Sequence, residues 1–186
     1  MYARDLQIEI ERIFVEFIDD FGIRDYPISI RRVANAADIE LVPYSQLDNE
    51  ALRLARMLSR DAFNYSTYDY SDCKIAYNDN PIYRRRSRFS CAHEIAHILL
   101  EHGPNDHARE READYLAGYM LIPHPLLLMH NSRRGIASRF DTSDDCASYA
   151  IDQALSRRAE GAPWRQHERW LIDNITWRGG GCLAIA

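Results

Sequence analysis

Cysteine is scarce and scattered in this sequence. Its four thiols, Cys73, Cys91, Cys146 and Cys182, form no CxxC pair and no dense framework. Neither a disulfide scaffold nor a cysteine-built zinc site is expected; reduced thiols in a cytoplasmic setting are. Long apolar runs are also missing. A membrane-spanning helix needs ~20 apolar residues, and the stretch YLAGYMLIP is too short. The N-terminus, MYARDLQIEIERIF, carries charge from Arg4 onward and lacks the basic-then-apolar layout of a secretion signal. The last residues, CLAIA, miss the prenylation frame because Cys182 stands fifth from the end. There is no excess of positive charge. The net charge of −5 leaves no electrostatic footprint for tight nucleic-acid binding. The local exception, Arg84, Arg85 and Arg86 with Arg88, is expected to be a solvated patch. No internal repeat or low-complexity block is present.

What remains is the composition of a packed soluble protein: 186 residues, 46% hydrophobic and 27% charged. That length suits one domain with room for a small appendage. Leu6, Ile10, Ile13, Phe14, Phe17, Ile18 and Phe21 fall at helical spacing and predict a helix ending at Gly22. PISIRRVANAA predicts a shorter helix, and IELVPY a strand stopped at Pro43. DNEALRLARMLSRDAF carries helix formers, and NYSTYDYSD reads as a loop or strand edge. CKIAYND alternates like a strand and ends in turn chemistry at Asn78 to Pro81. A long helix is expected from about Pro81 to about His102, stopped by Gly103-Pro104. Another is expected from near Asp106 to Pro123, with shorter helical pieces after it.

The chemistry lies in those two helices. Cys91 to His97 reads CAHEIAH. Residues i and i+4 share a helical face, so His93 and His97 present two imidazoles side by side. Glu94 is rotated by one residue and flanks the pair. Two nitrogen ligands, an open position for water and a carboxylate to take the water's proton are what a zinc hydrolase requires. The pattern alone arises by accident in roughly one or two chains per hundred of this composition, so a third ligand matters. EREAD places Glu110 and Asp114 at i and i+4 on the next helix. Glu110 can coordinate the ion, and Asp114 can accept the free N–H of a ligand histidine and fix its tautomer. Zn²⁺ is the expected ion, although Mn²⁺ or Fe²⁺ also suits a His-His-carboxylate set.

Several residues compete with this assignment. Glu112 is the rival third ligand, but it points to the far side of its helix. His102 lies roughly 140° around the helix from His97 if the helix continues that far, and His107 falls in the connecting loop. His124, His130 and His167 have no motif around them and are expected at the surface or an interface. The hydrogen-bond donor for a developing oxyanion is unassigned; Tyr115, His107 and the tyrosines of the 65–70 loop are the candidates.

RFSCAHEIAHILLEHG followed by EREADYLAGYMLIP resembles the ImmA/IrrE family of zinc metallopeptidases. That family pairs an AHExxH helix with an ExxA(N/D) helix ending in a Leu-x-x-Pro-like segment, and here MLIP matches the ending and Asp114 the Asn/Asp position. The resemblance spans roughly Ile28 to Arg158. It implies His93, His97 and Glu110 as zinc ligands and Glu94 as catalytic base. IASRFDTSDDCASYAIDQALSR resembles the family's C-terminal helix-turn-helix-like element, with Phe140 and Ser143 at its turn. One departure is clear: the family usually has a strand hairpin where this chain has residues 48–72.

The expected fold is therefore α+β. A mainly helical metallopeptidase domain (1–125) carries a small antiparallel sheet ahead of the HExxH helix. A helix-turn-helix-like subdomain (126–175) packs on it, and a tail (176–186) follows. The resemblance further implies an endopeptidase that cuts a cognate helix-turn-helix repressor and so relieves repression of a mobile element or stress response. Membrane attachment and direct nucleic-acid binding are not expected. The alternative is a non-catalytic metal-binding regulator that engages a repressor or DNA without cleavage.

Overall fold

The computed structural model describes residues 2–66, 72–103, 107–129 and 135–178. His130, Tyr68, Tyr70, Cys182 and most of the expected tail lie outside them, as does the side chain of His107. In chain order the elements are α1 (Tyr2–Asp20), β1 (Asp25–Tyr26), α2 (Ile30–Ala36), β2 (Ile39–Pro43), α3 (Asn49–Leu58), β3 (Ala62–Ser66) and β4 (Cys73–Tyr77). They continue with α4 (Arg84–Leu99), α5 (His107–Leu121), α6 (His124–Leu128), α7 (Ile136–Phe140), α8 (Asp144–Ala159), α9 (Gln166–Asn174) and β5 (Thr176–Trp177). The fold is mainly helical α+β. Among the described residues no helix is long and apolar enough to cross a membrane.

The helix starts follow local chemistry. Ser29 caps α2 by accepting from the Arg32 N–H, Asp48 caps α3 through the N–H groups of Glu50 and Ala51, and Ser143 caps α8 through Cys146. Helix α8 also has Asp144 and Asp145 in its first turn and Arg157 and Arg158 in its last, the sense its dipole favours.

The sheet has the order β2-β4-β3. It is mixed rather than wholly antiparallel: β2 runs parallel to β4, from Ile39 opposite Cys73 to Pro43 opposite Tyr77, and β3 runs antiparallel to β4. A parallel pair needs a crossover, and α3 with β3 supplies it. The segment 48–72 thus holds a helix, α3, and then β3, which pairs with β4 as in a hairpin. Side chains alternate across the sheet. Phe63 and Ala76 face α3 in a small cluster with Tyr44 and Ala55, whereas Ile75 and Tyr77 join the main core beneath α4.

That core is fed by α4, α5, α1 and the later helices. Cys91, Ala92, Ile95 and Ala96 form the inner stripe of α4, against which α5 packs with Ala113, Leu116, Ala117 and Met120. Ile95 and Leu116 are fully buried, worth roughly 1.5–3 kcal/mol each. Small residues at positions 92, 96, 113 and 117 let the two helix backbones approach. The arginine patch is solvated only in part: the Arg85 and Arg86 side chains are exposed, whereas Arg88 is interior. Arg88 is buried and donates to the Ile28 carbonyl at 2.5 Å, Arg84 pairs with Asp141, and Arg86 pairs with Asp61. Each of these cations meets an acceptor from another part of the chain, which the local sequence could not show.

Two histidines expected at the surface or an interface are interior. His124 on α6 meets Oε1 of Glu168 at 3.1 Å, and His167 on α9 meets Oε2 of Glu11 at 3.0 Å. Both carboxylates have less than 1% exposed side chain. Glu168 also accepts from Arg157 Nε (2.6 Å) and Nη2 (2.8 Å) and from the Arg165 backbone N–H (2.7 Å), while Glu11 accepts from the Tyr115 hydroxyl. Burial alone would push these two carboxyls up, but the histidines, arginines and Tyr115 hold both below the ordinary value. Glu11, His167 and Glu168 have the proximity of a metal cluster. Their oxygens are already satisfied by cationic and N–H donors, so the cluster is a lock joining α1, α5, α6, α8 and α9.

Candidate metal centre

Helix α4 presents His93, Glu94 and His97 on the side away from its inner stripe. The two imidazoles retain only 17% and 16% side-chain exposure, because α5 lies across them. Their Nε2 atoms stand 3.0 Å apart. Glu110, in the first turn of α5, brings Oε2 to 3.3 Å from His93 Nε2 and Oε1 to 3.5 Å from His97 Nε2. One donor atom from each of the three residues lies within 4.8 Å of the others. Asp114, one turn along α5, takes the Nδ1 of His93 at 2.9 Å.

This donor set fits a divalent cation. With its Nδ1 proton given to Asp114, His93 has a bare Nε2 lone pair aimed at His97 Nε2 and at a carboxylate. Such a cluster of acceptors is repulsive unless a proton or a metal cation sits among them. Bonds of about 2.0–2.1 Å at tetrahedral angles put donors roughly 3.3 Å apart, close to the 3.0, 3.3 and 3.5 Å found here.

Glu94 points to the sheet. Its Oε2 accepts from the backbone N–H of Asn64 at 3.2 Å and from the Asn64 side-chain amide. Asn64 lies in the edge strand β3, opposite Ile75, so its side chain falls on the α4 face of the sheet. Burial raises the Glu94 pKa above its ordinary value, and the Asn64 bonds and the neighbouring His93 offset only part of that. Burial likewise acts to lower His93, but Asp114, Glu94 and Glu110 reverse it and leave His93 raised. His97 is lowered, by burial and by its two histidine neighbours.

All five residues singled out from sequence are thus brought together. Other expectations change. Tyr115 is buried with its hydroxyl donating to Glu11, so it is not available as an oxyanion donor. Tyr65 stacks near Phe63 on the α3 face and points away from the site. Glu112 does not approach the donor cluster; its Oε2 meets His102 Nε2 at 3.2 Å. His102 in turn brings Nδ1 to 3.1 Å from Nδ1 of His97. The wheel that set His102 far from His97 assumes a continuing helix, whereas α4 stops at Leu99. Glu101 turns left-handed at φ 52°, its N–H bonds to the Ile98 carbonyl, and the His102 N–H bonds to the His97 carbonyl. This is a Schellman stop, which folds the second residue past the cap onto the last turn. Asn64 also went unrecognised. The alternating AFNYS, with one polar residue between two aromatics, was its only signal.

A groove of about 960 Å³ between α1, α4, α5 and α8, lined by Leu6, Ile10, Phe89, Tyr115 and Tyr149, reaches the site's surroundings at Asp114 and Glu112. Glu94, His93 and His97 are not in its wall, and Glu94 instead faces β3.

Two comparisons bear on this arrangement. No curated protein matches the chain. A family model, the IrrE N-terminal-like domain of the M78 peptidases, matches residues 58–151, about half of the sequence, from the end of α3 into α8 and including every residue of the site. The chain belongs to the M78 peptidase family.

Proposed function

We propose that the chain is a zinc-dependent endopeptidase in which His93, His97 and Glu110 hold the metal and Glu94 is the general base. The observation that carries this reading is the meeting of three donor atoms from two helices beside a carboxylate that is not among them. When bound, the ion supplies Lewis-acid polarisation of the scissile carbonyl and lowers the pKa of its water toward neutrality. Glu94 would accept a proton from the attacking water and deliver it to the leaving amine. Its raised pKa suits both halves of the task, since a very weak base would not accept the proton. Asn64 holds the carboxylate against the sheet edge, and Asp114 holds His93 in the tautomer that leaves Nε2 free. The half-exposed Glu110 and Asp114 keep the site open to a polypeptide.

The resemblance to ImmA/IrrE proteins favours a helix-turn-helix repressor as the substrate in a cytoplasmic setting. Cleavage would relieve transcriptional repression. The test is incubation of the purified, zinc-loaded protein with a helix-turn-helix repressor, chosen from a neighbouring gene where one encodes it. The wild type cleaves and a Glu94→Gln variant retains zinc without cleaving. Equal de-repression in cells by wild type and Glu94→Gln would instead establish a non-catalytic regulator.

A further inference from the structure

We propose that His102 and Glu112 form a positioning dyad that fixes the tautomer of His97 and thereby sets metal affinity; this rests on the metal-binding reading above. The two contacts make one chain: Glu112 Oε2 to His102 Nε2 at 3.2 Å, and His102 Nδ1 to His97 Nδ1 at 3.1 Å. The His102 side chain is only 4% exposed, which shelters its ring from bulk water.

Protons can occupy this chain with a neutral His102 in only one satisfactory order. A carboxylate accepts, so His102 Nε2 carries the proton. A neutral imidazole then has a bare Nδ1, which must accept, so His97 Nδ1 carries the next proton. His97 Nε2 is left bare, 3.0 Å from His93 Nε2 and 3.5 Å from Glu110. The opposite order would put a proton on His97 Nε2, where the ion has to bind, and set the bare Nε2 of His102 against the Glu112 carboxylate. The dyad therefore does for His97 what Asp114 does for His93. The two ligands are oriented from opposite sides, one directly by a carboxylate and one through an intervening imidazole.

The backbone makes the arrangement possible. The His102 N–H to His97 carbonyl bond of the helix stop, 2.9 Å, fixes the two residues' separation, and Glu112 comes from the helix that also supplies Glu110 and Asp114.

The test measures zinc affinity by competition with a chromophoric chelator, using the full chain and zinc alone. His102→Leu removes both contacts and is expected to weaken zinc binding 10- to 100-fold. His102→Asn keeps an acceptor near the position of Nδ1 and is expected to recover most of that loss. Glu112→Gln, which still accepts from His102, is expected to fall between wild type and His102→Leu. Cobalt-loaded wild type and His102→Asn should give the same ligand-field spectrum, since His102 is not itself a ligand. Zinc affinities of His102→Leu and His102→Asn that both equal wild type would overturn the dyad, as would equal losses in the two, which would indicate packing alone. Wild-type protein that binds no zinc, with His97→Ala unchanged from it, would instead overturn the metal reading itself. Should His102→Leu fail to fold, the comparison of Glu112→Ala with Glu112→Gln decides the same question.

Discussion

The backbone nitrogen of Asn64 lies 3.2 Å from Oε2 of Glu94, so the edge strand β3 and helix α4 are joined at this carboxylate. The side-chain amide of the same residue makes a second bond to that oxygen. Asn64→Ala removes it and leaves the carboxylate held by the backbone N–H alone, without touching His93, His97 or Glu110. A hydrogen bond to a charged group contributes about 1.5–3 kcal/mol, so kcat should fall roughly 10- to 100-fold. KM and zinc content should stay near wild type; a change confined to KM would place Asn64 in substrate binding instead.

Asp114 should act on the metal rather than on the fold. Its side chain is 58% exposed and its bond to His93 Nδ1 is its contribution to the site. Asp114→Ala is expected to weaken zinc binding by about 10- to 100-fold, with the urea midpoint of the metal-free protein nearly unchanged. Chelator competition and urea titration together check both halves.

The interior cluster around Glu168 should act on the fold rather than on the metal. Arg157→Leu leaves the buried carboxylate short of its bidentate partner. Breaking a buried ion pair costs about 3–5 kcal/mol; His124 and Arg165 remain, so the lower end of that range is expected. Equilibrium urea unfolding should report the loss, and zinc affinity of the folded fraction should be unaltered.

The same cluster predicts an acid dependence. Glu11 and Glu168 have folded-state pKa values below the ordinary carboxylate value of 4.5. Between the folded value and 4.5 the unfolded chain binds more protons than the native one. Stability is therefore fully present above about pH 4.5 and is lost as pH falls below it toward the folded values. Unfolding midpoints of the metal-free protein measured from pH 7 down to pH 3 should decline in the acid range, and Glu168→Gln should flatten that decline.

Much of the site was legible because it is written at helical spacing. His93 with His97 and Glu110 with Asp114 are each i and i+4, so a wheel is enough to pair them once both segments are recognised as helices. The partnership of the two helices was also readable, from the turn residues between them. What was not legible depends on where a helix stops or on contacts far apart in sequence. His102 was misplaced because nothing local announces a left-handed Glu101, where glycine is the usual residue. Asn64 meets Glu94 from thirty residues away, and the parallel pairing of β2 with β4 spans a similar distance. His124 and His167 looked ordinary because their carboxylate partners lie 44 and 156 positions off. Arg88 looked solvated because a run of arginines usually is, and its acceptor is a carbonyl sixty residues earlier.

The pairing of Glu11 with His167 imposes an order on biosynthesis. A nascent polypeptide that has emerged only as far as α8 holds an acidic group on its first helix with no basic counterpart from α9 to receive it. That first helix can already meet α5 through the Tyr115 hydroxyl, but the contact is completed only when α9 has left the ribosome, well after α4 and α5 have emerged from the exit tunnel.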